Sequence, residues 1–223
     1  MNFFEGSGVS QIVIVNPDNP SGNYIPKKDL LRLIEWTKGN GMKLVIDESF
    51  VDFADEEDST LIDLDLLAAN THLYVMKSIS KSYGVPGLRL GVLASGDVDT
   101  VARMKKDVAI WNINSFAEFY MQIEEKYKKY YAEALVKIRA ERARFVSELS
   151  KINGIRVIPS QANFIMAELT DVEPKELLKA LLFKHQLLIK DLSSKTGGKY
   201  IRIAVRNTED NDMLVAALKE ELG

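Results

Sequence analysis

Four short apolar runs bounded by turn residues organise the first half of the chain: QIVIV (Gln11 to Val15), KLVI (Lys43 to Ile46), LYVM (Leu73 to Met76) and RLGVLA (Arg89 to Ala94). Apolarity that continues through successive positions, instead of alternating, predicts strands covered on both faces. Between the first two runs lies IPKKDLLRLIEWTKGNG, in which Leu30, Leu33, Ile34 and Thr37 recur at helical spacing. Pro26 suits the first helical turn, and Gly39 and Gly41 end the segment. A strand, helix, strand unit implies a parallel pair joined by a right-handed crossover. The predicted fold class is α/β with a largely parallel sheet.

After Gly96 the pattern lengthens. VDTVARMKKDVAI and then Ser115 to about Ile152 predict helices with a break near Lys128, and apolar faces at Phe116, Phe119, Tyr120, Ile123 and Tyr127, then at Leu135, Ile138, Arg142, Phe145 and Leu149. The mixed charges of EEKYKKYYAEALVKIRAERARF read as a solvated helix face with opposite-charge neighbours. From Asn153 the chain returns to strands, GIRVIP, NFIMAEL, LLIKDL and KYIRIAVR, interrupted by a helix beginning near Pro174. Thr208 is the expected N-cap of a closing helix whose apolar face holds Met213, Leu214, Ala217 and Leu218. These elements divide into a partial large domain over residues 1–130 and a smaller α+β domain over residues 131–223.

Composition narrows the chemistry. A chain of 223 residues with 46% hydrophobic content suits a substantial core, and its net charge of -3 argues against nucleic acid as a partner. Without cysteine there is no disulfide framework and no thiolate nucleophile. No apolar run approaches the ~20 residues that span a bilayer, so no membrane partner and a cytoplasmic address are expected. His72 and His185 lie far apart without ligand-like spacing, and the acidic run DFADEED lacks a glycine-containing calcium pattern, so no metal is expected.

In open parallel sheets, ligands bind beyond the carboxyl ends of the strands. QIVIV is followed by NPDNPSG, which presents Asn19 on a turn rigidified by prolines and a glycine; KLVI is followed by Asp47 and Glu48, and LYVM by Lys77, Ser78, Ser80 and Lys81. Two chemistries use such a set. VIDE resembles the magnesium-binding half of a nucleotide triphosphatase, but no G-x-x-x-x-G-K-[ST] loop occurs. A pyridoxal phosphate site needs a lysine for the cofactor aldehyde, a carboxylate for the pyridine nitrogen, and hydroxyls with an arginine for the phosphate; all are present.

The ordered motifs NPDNPSG, VIDESF, SISKSYGVPGLRLG and KYIRIAVR resemble those of fold-type I pyridoxal phosphate enzymes, in the branch of histidinol-phosphate aminotransferase and threonine-phosphate decarboxylase. The resemblance covers essentially the whole chain. It implies pyridoxal 5'-phosphate as cofactor, Lys81 as the imine-forming lysine and proton shuttle, and Asp47 as the pyridine partner. It further implies Asn19 as donor to the cofactor's ring oxygen and Ser78, Ser80 and Arg89 as phosphate holders. Arg202 would clamp the substrate carboxylate, with Asn163 and Asn114 lining the substrate pocket and Arg206 reading a second anionic group. A nucleophilic lysine must be uncharged, so nearby positive charge and partial desolvation are expected around Lys81. Glycines 84, 87 and 91 are expected to admit a close backbone approach.

The implied reaction is transamination between an amino acid and a 2-oxo acid in a homodimer. Phe50 stands where the commoner aminotransferase pattern has an aromatic hydroxyl, which keeps decarboxylation of a phosphorylated amino acid as the alternative. The long segment that family members carry before NPDNPSG has no counterpart in MNFFEGSGVS, so the chain reads as the carboxyl-terminal part of such an enzyme. QIVIV is then expected to be an exposed edge strand that dimerises, or the chain to bind the cofactor poorly. A non-catalytic assembly module is the remaining reading.

Overall fold

The computed structural model describes residues 1–223, the side chain of Asn2 excepted. The chain forms two compact units: residues 1–17 with 24–132, and residues 18–23 with 133–223. The loop 18–23 belongs to the second unit, which local sequence does not signal.

The first unit contains β1 (Gln11–Val15), α1 (Lys27–Gly39), β2 (Lys43–Asp47), α2 (Leu64–Ala69), β3 (Leu73–Ser78), α3 (Ile79–Ser82), β4 (Gly91–Ser95), α4 (Val98–Asp107) and α5 (Ser115–Ile123). The sheet order is β1-β2-β3-β4. The pairs β1/β2 and β2/β3 are parallel, whereas β4 runs antiparallel to β3. α1 forms because Leu30, Ile34 and Thr37 bury one stripe, and the Thr37 hydroxyl satisfies itself on the carbonyls of Leu33 and Ile34. Pro26 is the residue before the helix, with Lys27 its first member.

The stripe of α1, with Leu67 of α2, packs on Ile12, Leu44, Ile46, Leu73 and Val75 from one face of the sheet. Burial of each such side chain contributes about 1.5–3 kcal/mol. The opposite face departs from the sequence expectation. There Val13 is 62% and Met76 44% exposed, and Leu93 is exposed beside them. That face is covered only in part, since Tyr74 on it is buried and Val45 half-buried; continuous apolarity reports what a strand can bury, not how far a covering layer extends. The first helical stripe differs too: Phe116, Phe119 and Tyr127 are exposed, and α5 buries Ala117 instead. The break near Lys128 is present as a tight turn over Glu124–Tyr127.

The second unit contains most of α6 (Lys128–Leu149), then β5 (Ile155–Val157), β6 (Phe164–Leu169), α7 (Pro174–His185), β7 (Lys190–Asp191), α8 (Ser193–Thr196), β8 (Tyr200–Ala204) and α9 (Thr208–Leu222). Its sheet is antiparallel, in the order β5-β6-β8-β7. Phe145 and Leu149 of α6, Leu177 and Leu181 of α7, and Leu214 and Leu218 of α9 share one core with Ile165, Ala167, Ile201 and Ile203 of the sheet. The cap of α9 is Asn207, whose side chain accepts from the Asp210 amide; Thr208 is the first helical residue and donates to Glu141. Loop 18–23 is held by a 2.8 Å bond from the Gln161 amide to the Gly22 carbonyl. Gly22 adopts a φ of 74°, and a Cβ there would run into the Ser160 hydroxyl, so both conformation and space demand glycine.

Candidate functional site

Asp47 is the last residue of β2, and strand alternation turns it to the face opposite buried Ile46, beside Met76. Its Oδ1 accepts from the Ser49 amide at 2.9 Å and from the Ser49 hydroxyl at 2.5 Å. Oδ2 has no partner among the described residues, so one carboxylate oxygen is fixed and the other is available. Glu48, next in sequence, points the other way: it is fully buried and accepts from Thr60 Oγ1 at 2.6 Å and the Leu61 amide at 2.7 Å. Burial pushes its carboxyl above the ordinary range despite those bonds. The acidic pair therefore splits into an outward carboxylate and an internal brace.

Ser49 also accepts, through its hydroxyl, a 3.1 Å bond from the amide of Ser78. Ser78 ends β3 and precedes the single turn α3, which carries Lys81. The Lys81 ammonium is exposed and lies 5.9 Å from the centroid of the Phe50 ring. The desolvation expected around this lysine is therefore not supplied by the described residues. Arg89 occupies the left-handed region at φ 56°, a conformation that costs a non-glycine residue about 1 kcal/mol or more, and donates to the Pro86 carbonyl at 3.3 Å. Ser49, Ser78 and Arg89 line one cavity of about 460 Å³. Ser80 is placed differently. Its hydroxyl is buried and bridges the amide and carbonyl of Leu90, which holds the loop next to Arg89. Of the three loop glycines, only Gly91 has a neighbour near its would-be Cβ, the Lys77 carbonyl at 3.4 Å.

Beside this turn, Lys77 pairs with Asp52 at 2.6 Å, both largely buried. The rings of Tyr83 and Tyr131 stack at 4.2 Å, and burial, then the nearby Asp52 charge, pushes the Tyr83 hydroxyl up to about 12. Asn114 caps α5 through its oxygen and donates to the Leu88 carbonyl, so both ends of its amide are engaged.

The second unit holds the remaining candidates. Asn19 Oδ1 accepts from Arg202 Nη1 at 2.6 Å; since guanidinium only donates, the amide oxygen must face it and the Nδ2 hydrogens point away. Arg202 sits on the face of β8 opposite buried Ile201 and Ile203, with its guanidinium 4.9 Å from the Phe164 ring centroid. The Asn163 carbonyl accepts from the Val205 amide, which sets Asn163 at the head of β6. Arg206 is exposed and paired with Asp210 at 2.6 Å. His185 lies with Glu220 and Glu221 and bonds Glu221 at 2.9 Å, whereas His72 contacts Thr37 and the Ile34 carbonyl. Sequence reasoning missed Ser49. Its proximity to Asp47 is legible, but its bond to Ser78, 29 residues on, is not.

A sequence profile for aminotransferase class I and II matches residues 5–218. The chain belongs to that family. Among its relatives, CMP-5'-(3-aminopropyl)phosphonate synthase of Streptomyces rubellomurinus is 35% identical over 99% of this chain and 35% of its own length. L-serine phosphate decarboxylase of Sulfurospirillum multivorans is 32% identical over 99% of this chain and 57% of its own. A histidinol-phosphate aminotransferase of Caldanaerobacter subterraneus is 30% identical over 95% and 57% respectively. The solved structure of a decarboxylase from Sulfurospirillum multivorans superposes with a TM-score of 0.90 and 30% identity, covering all of this chain and 64% of that one. The chain thus spans from about a third to somewhat under two thirds of the length of these relatives.

The family indicates pyridoxal 5'-phosphate as cofactor. The donor set fits it: an oriented carboxylate with one available oxygen, a cavity lined by Ser49, Ser78 and a left-handed arginine, and an exposed lysine on the adjoining turn. Among the described residues, no helix is long and apolar enough to cross a membrane.

Proposed function

We propose that this chain contributes the cofactor-binding and carboxylate-binding residues of a pyridoxal phosphate enzyme that removes the carboxylate of an amino acid bearing a phosphate or phosphonate group. The observation that carries the cofactor reading is the common attachment of Asp47 and the Lys81 turn to Ser49, beside the cavity lined by Ser78 and Arg89. Bound pyridoxal phosphate supplies an electron sink for breaking a bond at the substrate α-carbon. In this reading Lys81 is the amine that attaches to it and later moves a proton at the α-carbon, and Asp47 Oδ2 accepts from the ring nitrogen. Ser78 and Arg89 hold the phosphate. Asn19, with its oxygen engaged by Arg202, offers Nδ2 as a donor, and Arg202 offers the planar fork suited to a carboxylate. Asn163 lines the substrate pocket, and Arg206 is the further cation for the substrate's second anionic group.

Decarboxylation is favoured over transamination by Phe50. Its ring under Lys81 donates no hydrogen bond where the commoner aminotransferase pattern has a hydroxyl, and the L-serine phosphate decarboxylase of Sulfurospirillum multivorans stands among the similar relatives. Transamination between an amino acid and a 2-oxo acid is the second reading, supported by histidinol-phosphate aminotransferases of similar identity. Reduction of the chain with borohydride in the presence of pyridoxal phosphate, followed by peptide mass analysis, should locate the cofactor on Lys81 and nowhere in Lys81→Ala. The absence of that adduct would leave only the non-catalytic assembly module. With O-phosphoserine and O-phosphothreonine, release of carbon dioxide supports decarboxylation; keto acid formed only with a 2-oxo acid acceptor supports transamination.

A further inference from the structure

Resting on the cofactor reading above, we infer that Ser49 is a positioning residue that fixes the Asp47 carboxylate and the Lys81 turn relative to each other. The parallel ladder between β2 and β3 ends with the Glu48 amide donating to the Met76 carbonyl at 2.7 Å. At the next level the strands diverge, and the Ser49 hydroxyl takes over as acceptor for the Ser78 amide. The side chain thus supplies one more rung where the backbone no longer can, at the residue that leads into α3. The hydroxyl has a single hydrogen, and it goes to Asp47 Oδ1 at 2.5 Å.

With the Ser49 amide as a second donor, Oδ1 is held in a short local ring and rotation of the carboxylate is restricted, which keeps Oδ2 on the open side of the sheet. Ser49 is itself buried, so its hydroxyl exchanges few of these bonds for water. One oxygen therefore joins the group that would read the ring nitrogen to the turn that bears the nucleophile. Alanine there leaves the Ser78 amide without its acceptor and Asp47 with one fixed bond instead of two.

The test compares wild type, Ser49→Ala, Ser49→Thr, Asp47→Asn and the Ser49→Ala/Asp47→Asn double variant. Pyridoxal phosphate affinity is measured by fluorescence titration, and the Lys81 adduct by borohydride trapping. Melting of the cofactor-free chains checks that each variant folds; Ser49→Cys replaces the alanine variant if that does not. Ser49→Ala is expected to weaken the cofactor about tenfold, as for loss of one charge-assisted hydrogen bond, while the Lys81 adduct still forms. Ser49→Thr should restore affinity. In the Asp47→Asn background, removal of the serine should weaken binding by less than twofold, because its effect is exerted through the carboxylate.

A tenfold loss in both backgrounds, or wild-type affinity in Ser49→Ala, overturns the positioning role while a wild-type Lys81 adduct leaves the cofactor reading standing. A wild-type chain that forms no Lys81 adduct overturns both.

Discussion

Asn19 and Arg202, 183 residues apart in sequence, share a 2.6 Å hydrogen bond within the second compact unit. The loop 18–23 is thereby tied to β8 at the residue whose guanidinium rests on Phe164. Asn19→Ala should leave Arg202 without this acceptor and destabilise the unit by about 1 kcal/mol, read in urea unfolding. Under the proposed function, the same variant should raise the KM for amino acid substrate more than it lowers kcat, because Arg202 loses the contact that aims it. An unchanged KM would remove Asn19 from that role.

The buried pair of Lys77 and Asp52 should be costly to break. Lys77→Met leaves Asp52 largely buried without its 2.6 Å cation and is expected to destabilise the first unit by about 3 kcal/mol, whereas Lys77→Met with Asp52→Leu should recover much of the loss. Denaturant unfolding of the two variants checks this.

Two carboxylates give pH dependences of opposite sign. Arg144, then the bonds from Asn211 and Thr208, hold Glu141 down at about 2 against an ordinary 4.5. Its folded form binds the proton more weakly than the unfolded chain, so its stabilisation is complete above the ordinary value and fades as pH falls toward about 2. Glu141→Gln should flatten the acid limb of the second unit's stability between those values. Glu48 is raised by burial, so its contribution is complete below the ordinary value and is lost as pH rises through its folded pKa. Glu48→Gln should remove that decline while keeping an acceptor for Thr60 or Leu61. Circular dichroism against pH, with both variants, reads each slope.

The edge of β1 and the partly covered face beside it should make the chain self-associate. β1 pairs with β2 alone and exposes Val13, on the same face of the sheet as exposed Met76. Sedimentation velocity should show concentration-dependent association, and Val13→Lys should shift it toward monomer. Identical monomeric profiles for the two chains would rule out this face as the contact.

Much of the fold was legible because its signals are local. The crossover from β1 through α1 to β2 follows from Leu30, Ile34 and Thr37 at helical spacing between two apolar runs, and the turn near Lys128 from the change of pattern there. The antiparallel direction of β4 was not legible, since an apolar run carries no arrow; nor was the exposure of Phe116, since periodicity identifies a face without naming what meets it. The site divides in the same way. Asn19, Asp47, Ser78 and Lys81 could be picked out because residues just past a strand are where an open sheet offers groups to a ligand, whereas Arg89 precedes β4 and only the family motif points to it.

What the tertiary structure alone decided is how each of those groups is committed: Glu48 inward, Ser80 onto Leu90, Asn19 onto Arg202, and Asp47 to the hydroxyl that also receives Ser78. Residue order along the chain determines which chemical groups exist and roughly where each strand delivers them. Hydrogen bonds between groups far apart in sequence depend on distances of a few tenths of an ångström, and only packing sets those.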